Sequence, residues 1–149
     1  MKKLLFVLMV ASLGWVALAD TLVVEGASTV QSVKVKPGDT VKVESVDTKL
    51  TVSGDGDVFH IDGSDNRIEV QGSFKGMVIT GTNNTVEVKG DLPQLDVRGS
   101  DNVVTLRGRC DLVQYSGVDN KTYWMKSSGL KPPKVEREGF DNLFEVREP

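Results

Sequence analysis

Glycine recurs every nine residues through the middle of this 149-residue chain. The stretch GSDNRIEVQGSFKGMVITGTNNTVEVKG, from Gly63 to Gly90, shows the interval plainly. Extended both ways, it sets Gly54, Gly63, Gly72, Gly81, Gly90, Gly99, Gly108 and Gly117 at the heads of successive nonapeptides. Apolar residues fall at the sixth and eighth places. They are Phe59 and Ile61, Ile68 and Val70, Met77 and Ile79, Val86 and Val88, Leu95 and Val97, Val104 and Leu106, and Val113 and Tyr115. Such alternation over four or five residues describes a strand with one buried face. Upstream, Leu50 and Val52 keep the pattern with Ser45 in place of glycine, and Val41 and Val43 keep it in the unit that starts at Lys36.

A period of eighteen overlies the nine. Alternate units share a turn: GSDN at 63, GTNN at 81, GSDN at 99 and GVDN at 117, with SVDT at 45 and GFDN at 139. The intervening units put Gly56, Phe74, Leu92 and Cys110 at their third place. One coil therefore holds two strands and two unlike turns. Self-similarity at a fixed period marks a stacked repeat. The expected fold is all-β: a parallel β-solenoid of roughly five two-stranded coils, right-handed by the general crossover preference. Each strand would pair with its equivalent in the next coil, at ~4.8 Å. A buried aliphatic contributes roughly 1.5–3 kcal/mol, against about 1–2 kcal/mol to order each residue, so one coil alone cannot hold. Stacked coils can, because each supplies a surface to the next.

The turn residues have physical assignments. Glycine at the head of each unit is expected to supply positive φ. Asn66, Asn84, Asn102 and Asn120, with Asn142 in the last turn, are expected to stack into a ladder, each amide bonding its own turn and its copy in the next coil. Cys110 is the lone cysteine, which excludes an intramolecular disulfide. Its inward place reads as a small buried apolar residue.

The ends depart from the repeat. MKKLLFVLMVASLGWVALAD has two lysines, an apolar run and Ala17-Leu18-Ala19. That is the make-up of a secretory signal peptide, residues 1–19, cut after Ala19. The run is shorter than the ~20 residues of a membrane span. The formal charge of −3 becomes two units more negative once Lys2 and Lys3 leave. An acidic chain has no general affinity for nucleic acid or anionic lipid. A single domain, 20–149, follows, expected to be secreted or periplasmic and not embedded in a membrane. Within it, 20–35 reads as an N-terminal cap, its LVV and VKV stretches out of phase with the nonapeptides. The coils span 36–125. Tyr123, Trp124 and Met125 interrupt the alternation, and KSSGLKPPKVERE inserts residues from Lys126. Pro132 and Pro133 cannot join a central ladder. GFDNLFEVREP restores a turn and a strand, with Phe144 and Val146 inward. Residues 126–149 thus form an insertion and C-terminal cap, with Trp124 covering the open end of the core. Caps oppose end-to-end stacking, so a monomer is expected.

GSDNRIEV, GTNNTVEV and GSDNVVTL resemble the repeats of an uncharacterised family of secreted bacterial proteins and lipoproteins, catalogued as a domain of unknown function. The resemblance runs from Ser45 to Trp124 and includes GFDNLFEV. It implies an envelope or secreted location, no accepted activity and no catalytic residues. The chain lacks a lipobox cysteine, so the resemblance implies a freely exported member.

The residues offer little reaction chemistry. Asp47, Asp65, Asn83, Asp101 and Asp119 align at the third place, and a calcium-dependent adhesion module is one alternative. Calcium takes about six or more oxygens, however, and the sixth place here is apolar where calcium-binding nonapeptides carry Asp. A small polysaccharide-acting β-helix enzyme is the other alternative, with Asp96, Arg98, Arg107 and Arg109 as its thin support. His60, the lone histidine, sits outward beside Asp62. No catalytic set, metal site or cofactor is expected, and the chain reads as a non-enzyme. One face carries Lys49, Arg67, Glu69, Glu87, Lys89 and Arg107, whose alternating signs could pair along the ladder. The other face is less polar. Val58, Val78 and Leu112 point outward there, near Gln94 and Gln114. They are either covered by the proline-containing insertion or the N-terminal segment, or they form a docking face for an envelope protein or glycan.

Overall fold

The computed structural model describes residues 19–149. Of the expected leader, residues 1–19, all but Ala19 lies outside the described residues. From Thr21 onward the chain coils in pairs of strands: β1 (Thr21–Ala27) and β2 (Val30–Lys34), β3 (Thr40–Val46) and β4 (Lys49–Ser53), β5 (Val58–Ile61) and β6 (Arg67–Gln71), β7 (Gly76–Ile79) and β8 (Thr85–Val88). Then follow β9 (Gln94–Val97) and β10 (Val103–Leu106), β11 (Leu112–Tyr115) and β12 (Lys121–Met125), and β13 (Lys134–Arg137) and β14 (Leu143–Arg147). Odd-numbered strands form one seven-stranded sheet and even-numbered strands the other. Every pairing is parallel and in register: Phe59 lies beside Met77, and Ile68 beside Val86. The described residues form a β-solenoid of seven coils.

The core lies between the two sheets. The sixth and eighth places of β3 to β11 are buried aliphatics, Phe59 or Tyr115, with Val41, Val43, Ile61, Val70 and Val88 fully enclosed. A second inward column comes from the turns. Phe74, Leu92 and Cys110 are buried at the third place of the intervening units. Phe74 meets Phe59 edge to face, with centroids 5.2 Å apart. A Cβ on Gly56, one coil earlier, would run into the Phe74 ring, so this column admits only glycine there.

Both expected caps are corrected. Thr21–Val35 is the first coil: Thr21 pairs with Thr40 and Val30 with Lys49. The coil holds one residue more than the repeat, and the extra residue sits in the turn between β2 and β3. Asp39 closes that turn, accepting the Lys36 N–H at 2.9 Å and the Asp20 N–H at 3.1 Å. At the other end, β13 pairs with β11 and β14 with β12, after an insertion of four residues. Pro132 and Pro133 precede β13 and stay out of the ladder. Tyr123-Trp124-Met125 does not break the alternation either. Thr122 and Trp124 hold the sixth and eighth places and are fully buried. Trp124 is a core residue one coil in from the end, its Nε1 donating to the Gly108 carbonyl at 3.1 Å. Of the expected inward pair in β14, Phe144 packs against the core, whereas Val146 is 43% exposed because no coil lies beyond it.

The head-of-unit glycines also serve a different purpose from the one expected. Gly63, Gly72, Gly81, Gly90, Gly99, Gly108 and Gly117 do not have positive φ; of the eight, only Gly54 does. Each packs against the backbone one coil earlier: a Cβ on Gly81 would overlap the Gly63 carbonyl oxygen, and one on Gly99 the Gly81 oxygen. The left-handed residue is the third in the turn: Asp47, Asp65, Asn83, Asp101, Asp119 and Asp141 have φ of 52–58°. Short polar side chains tolerate that region better than others.

Candidate binding faces

The buried asparagines form the ladder the repeat implies. Asn84 donates its backbone N–H and its Nδ2 to Asn102 Oδ1, each at 3.0 Å. Its Nδ2 also donates to the Gly63 carbonyl at 2.9 Å. Asn66, Asn102 and Asn120 repeat the arrangement toward Asn84, Asn120 and Asn142. Thr48 and Thr29 continue the column in the first two coils, their hydroxyls 3.2 Å apart. Asn66, Asn84, Asn102 and Asn120 are enclosed and their amides are committed to the turn. They therefore have nothing to offer a ligand.

A second column, which sequence reasoning missed, lies in the other turn. Asp55 Oδ1 accepts the Ser73 N–H at 2.8 Å, Ser73 Oγ accepts the Asp91 N–H at 2.9 Å, and Asp91 Oδ1 accepts the Arg109 N–H at 2.9 Å. Asp, Ser, Asp and Arg at the second place was its signal, obscured because the residue type changes from coil to coil.

The third-place acids stand on the outside of the Asn turn. Asn83 interrupts them and donates to Asp65 Oδ1 at 2.6 Å. Among the described residues, no three of His, Cys, Asp and Glu converge as a metal site requires. The residues considered for polysaccharide chemistry are dispersed. Arg98 binds Asp96 through Nε and Nη2 at 2.8 and 2.6 Å on the first sheet. Arg107 binds Glu87 at 2.6 Å on the second, and Arg109 binds Asp111 in a turn. His60 is exposed on β5, beside Lys42 and Val78 of the neighbouring strands.

The outer walls are laced with ion pairs. Lys89 reaches back one coil to Glu69 at 2.6 Å, as Arg107 does to Glu87. The Lys89 hydrogen bond, helped by one from Gln71, holds the Glu69 carboxyl below its ordinary range. On the first sheet Lys42 pairs with Glu44, and Lys134 with Glu136 at 2.6 Å. Exposed pairs of this kind add little stability, about 0–1 kcal/mol each. Other wall charges, among them Lys49, Arg67 and Lys121 on the second sheet, take part in none of these pairs.

The first sheet has one gap in this lacework. Val58, Gly76, Gln94 and Leu112 form one outward column, and His60, Val78, Asp96 and Gln114 lie in the column beside it. A shallow depression opens over Gly76, edged by Val58, Val78, Lys75 and Gln94. A Cβ at Gly76 would meet nothing nearer than the Gln94 carbonyl oxygen at 3.8 Å, so the hollow exists because a side chain is missing. Val58 and Val78 are therefore brought together. Leu112 stands two coils from Val58, with Gln94 between, and does not line the hollow.

The sequence of these coils matches a known family. The family described as Protein of unknown function (DUF3060) matches residues 61–105 and 79–141, together more than half of the chain. The chain belongs to this family. The matched residues run from the third coil to the last Asn turn and include Asn66, Asn84, Asn102, Asn120 and Gly76, whereas Asn142 and Val58 lie just outside them. No curated protein and no solved structure matched the chain. Among the described residues, no helix is long and apolar enough to cross a membrane.

Proposed function

We propose that this chain is an exported, non-catalytic β-solenoid that serves as a structural or binding module of a bacterial cell envelope. The observation that carries the reading is the outer wall itself. Part of its charge is neutralised in pairs, the amides of the Asn ladder are spent inside the turn, and the hollow at Gly76 is edged by Val58 and Val78. Such a surface suits an uncharged, extended partner, a glycan or a protein segment, laid across the strands. The Lys2-Lys3 leader with Ala17-Leu18-Ala19 supports export. The fixed cross-section of the coil suits a spacer or scaffold, because length grows by a constant step per repeat.

Two measurements test the two parts of this reading. Expressed with its leader, the chain should appear outside the cytoplasm with Asp20 as its first residue by mass spectrometry. Retention in the cytoplasm with Met1 intact would overturn the export reading. On an array of neutral and acidic glycans and in titrations with envelope fractions, the wild type should bind, and Gly76→Val should lose that binding while melting as the wild type does. Equal binding by the variant, or no binding by the wild type, would overturn the hollow as the docking site.

A further inference from the structure

The described coils begin and end on strand edges. Among the described residues, β1 and β2 have no neighbour on one side, and neither do β13 and β14. Four of the six exposed large apolar residues lie in the first and last described coils, and Val46 and Val118 are the other two. Val30 is 80% exposed at the first coil, and Phe140, Leu143 and Val146 are 75%, 42% and 43% exposed at the last. Parallel edges with apolar side chains are templates for another chain, and proteins ordinarily blunt them.

We propose that the occupant of each edge is a second copy of this chain, joined head to tail, with β13 and β14 of one copy pairing with β1 and β2 of the next. The inference goes beyond the envelope reading and holds whether or not the walls bind a ligand. Its ground is the register. Carried one step past the last coil, the columns that join all seven coils place Leu143 over Val30, Val146 over Val33 and Val135 over Leu22. Two apolar core columns thus continue across the junction, Val135 over Leu22 and Val146 over Val33, and Leu143 over Val30 adds an apolar pair on the outer wall; Phe144 falls over Gln31, Arg137 over Val24, and Glu136 and Glu145 over the uncharged Val23 and Ser32. The Asn column continues too. Every asparagine from Asn66 to Asn120 gives its backbone N–H to the side-chain oxygen one coil on. Asn142 is the last of the column, and Thr29 holds the same column at the other end. The Asn142 N–H of one copy is aimed where Thr29 Oγ1 of the next would sit.

Same-end pairing cannot reproduce this match. It would set the strands antiparallel and bring Leu143 against another C-terminal edge, out of register with the Asn column. A head-to-tail contact does not close on itself, so it extends into a linear array. Two edge strands offer less than the ~1,600 Å² of a standard stable interface, and Arg147 falls over Lys34, so the association is weak and reversible.

Sedimentation velocity on residues 20–149, which contain every described strand, tests the proposal from about 10 µM to about 1 mM. The weight-average mass should rise at least about twofold across that range. Val30→Lys blocks one end and Leu143→Lys the other, and each variant alone should remain at monomer mass. Mixed in equal amounts, they should form a dimer that grows no further, because each keeps one usable end. A wild type that stays monomeric to the highest concentration overturns the proposal. So does self-association of both lysine variants, which would place the contact elsewhere. If either variant fails to melt cooperatively, the wild-type series still decides.

Discussion

Two residues in the Asn turn divide the work of the tight corner. The leading glycine lies flat against the backbone of the coil before it, where no Cβ fits. The third residue takes the left-handed conformation. A single pair of variants separates these roles. Gly81→Ala drives a methyl into the Gly63 carbonyl and should cost about 3 kcal/mol or more in chemical denaturation. Asp101→Gly relieves a φ of 55° and should stay within about 1 kcal/mol of the wild type. The ladder is sensitive for another reason. Asn102→Ala leaves two buried donors of Asn84 and the Gly81 carbonyl without their partner. Loss of about 2–4 kcal/mol is expected by the same measurement, because the buried groups left behind bear the desolvation cost.

At the scale of the strand, phase decides what a residue does. In β12 the sixth place holds Thr122, where the equivalent residues on β4 to β10 are Leu50, Ile68, Val86 and Val104. Its hydroxyl is buried without a hydrogen bond, though near enough to Tyr115 to favour the phenolate. Thr122→Val should therefore raise stability, by about 1 kcal/mol in a urea titration. Cys110 and Tyr115 bracket β11, and burial pushes both up, the thiol from 9.0 to about 11 and the phenol from 10.0 to about 12. Both groups are neutral in the folded state, so their folded pKa exceeds the unfolded one. Their contribution is complete below pH 9 and is lost as pH rises through 11 and then 12. Alkaline unfolding should fall in that window, and Cys110→Ser with Tyr115→Phe should move the midpoint upward.

The repeat from Ser45 to Tyr115 was legible because glycine spacing and inward aliphatics agree in every unit. The Asn column was legible for the same reason. The flanking coils were hidden by small changes in length. One added residue before β3 shifts Val33 and Val35 out of the nine-residue frame, and four added before β13 do the same to Val135. In β12 the frame holds but the residue types do not: Thr122 is polar and Trp124 is large, so an intact strand looks like a break. The role of the leading glycine was misread because sequence reveals that a turn is tight without revealing what presses on it. The hollow at Gly76 was half legible, through Val58 and Val78. Leu112 shares a column with Val58, and only the coil count separates them.

For the whole molecule, length follows from stacking. The seven described coils at ~4.8 Å make a short rod whose two ends share one cross-section and whose walls carry ion pairs between neighbouring coils. Fold, proposed docking and proposed assembly all depend on each coil lying over the last. Pulsed electron–electron distance measurements test this directly, with Cys110→Ser as background and spin labels attached through cysteine in a single column. Lys49 to Lys121 spans four coil steps through Arg67, Thr85 and Val103. Backbone separation should be about 19 Å there and about 24 Å from Lys49 to Leu143, one step farther. A constant increment per coil, after the linker length is allowed for, is the result the stacked solenoid predicts. Distances that alternate between short and long along the column, as consecutive antiparallel hairpins would give, would contradict it.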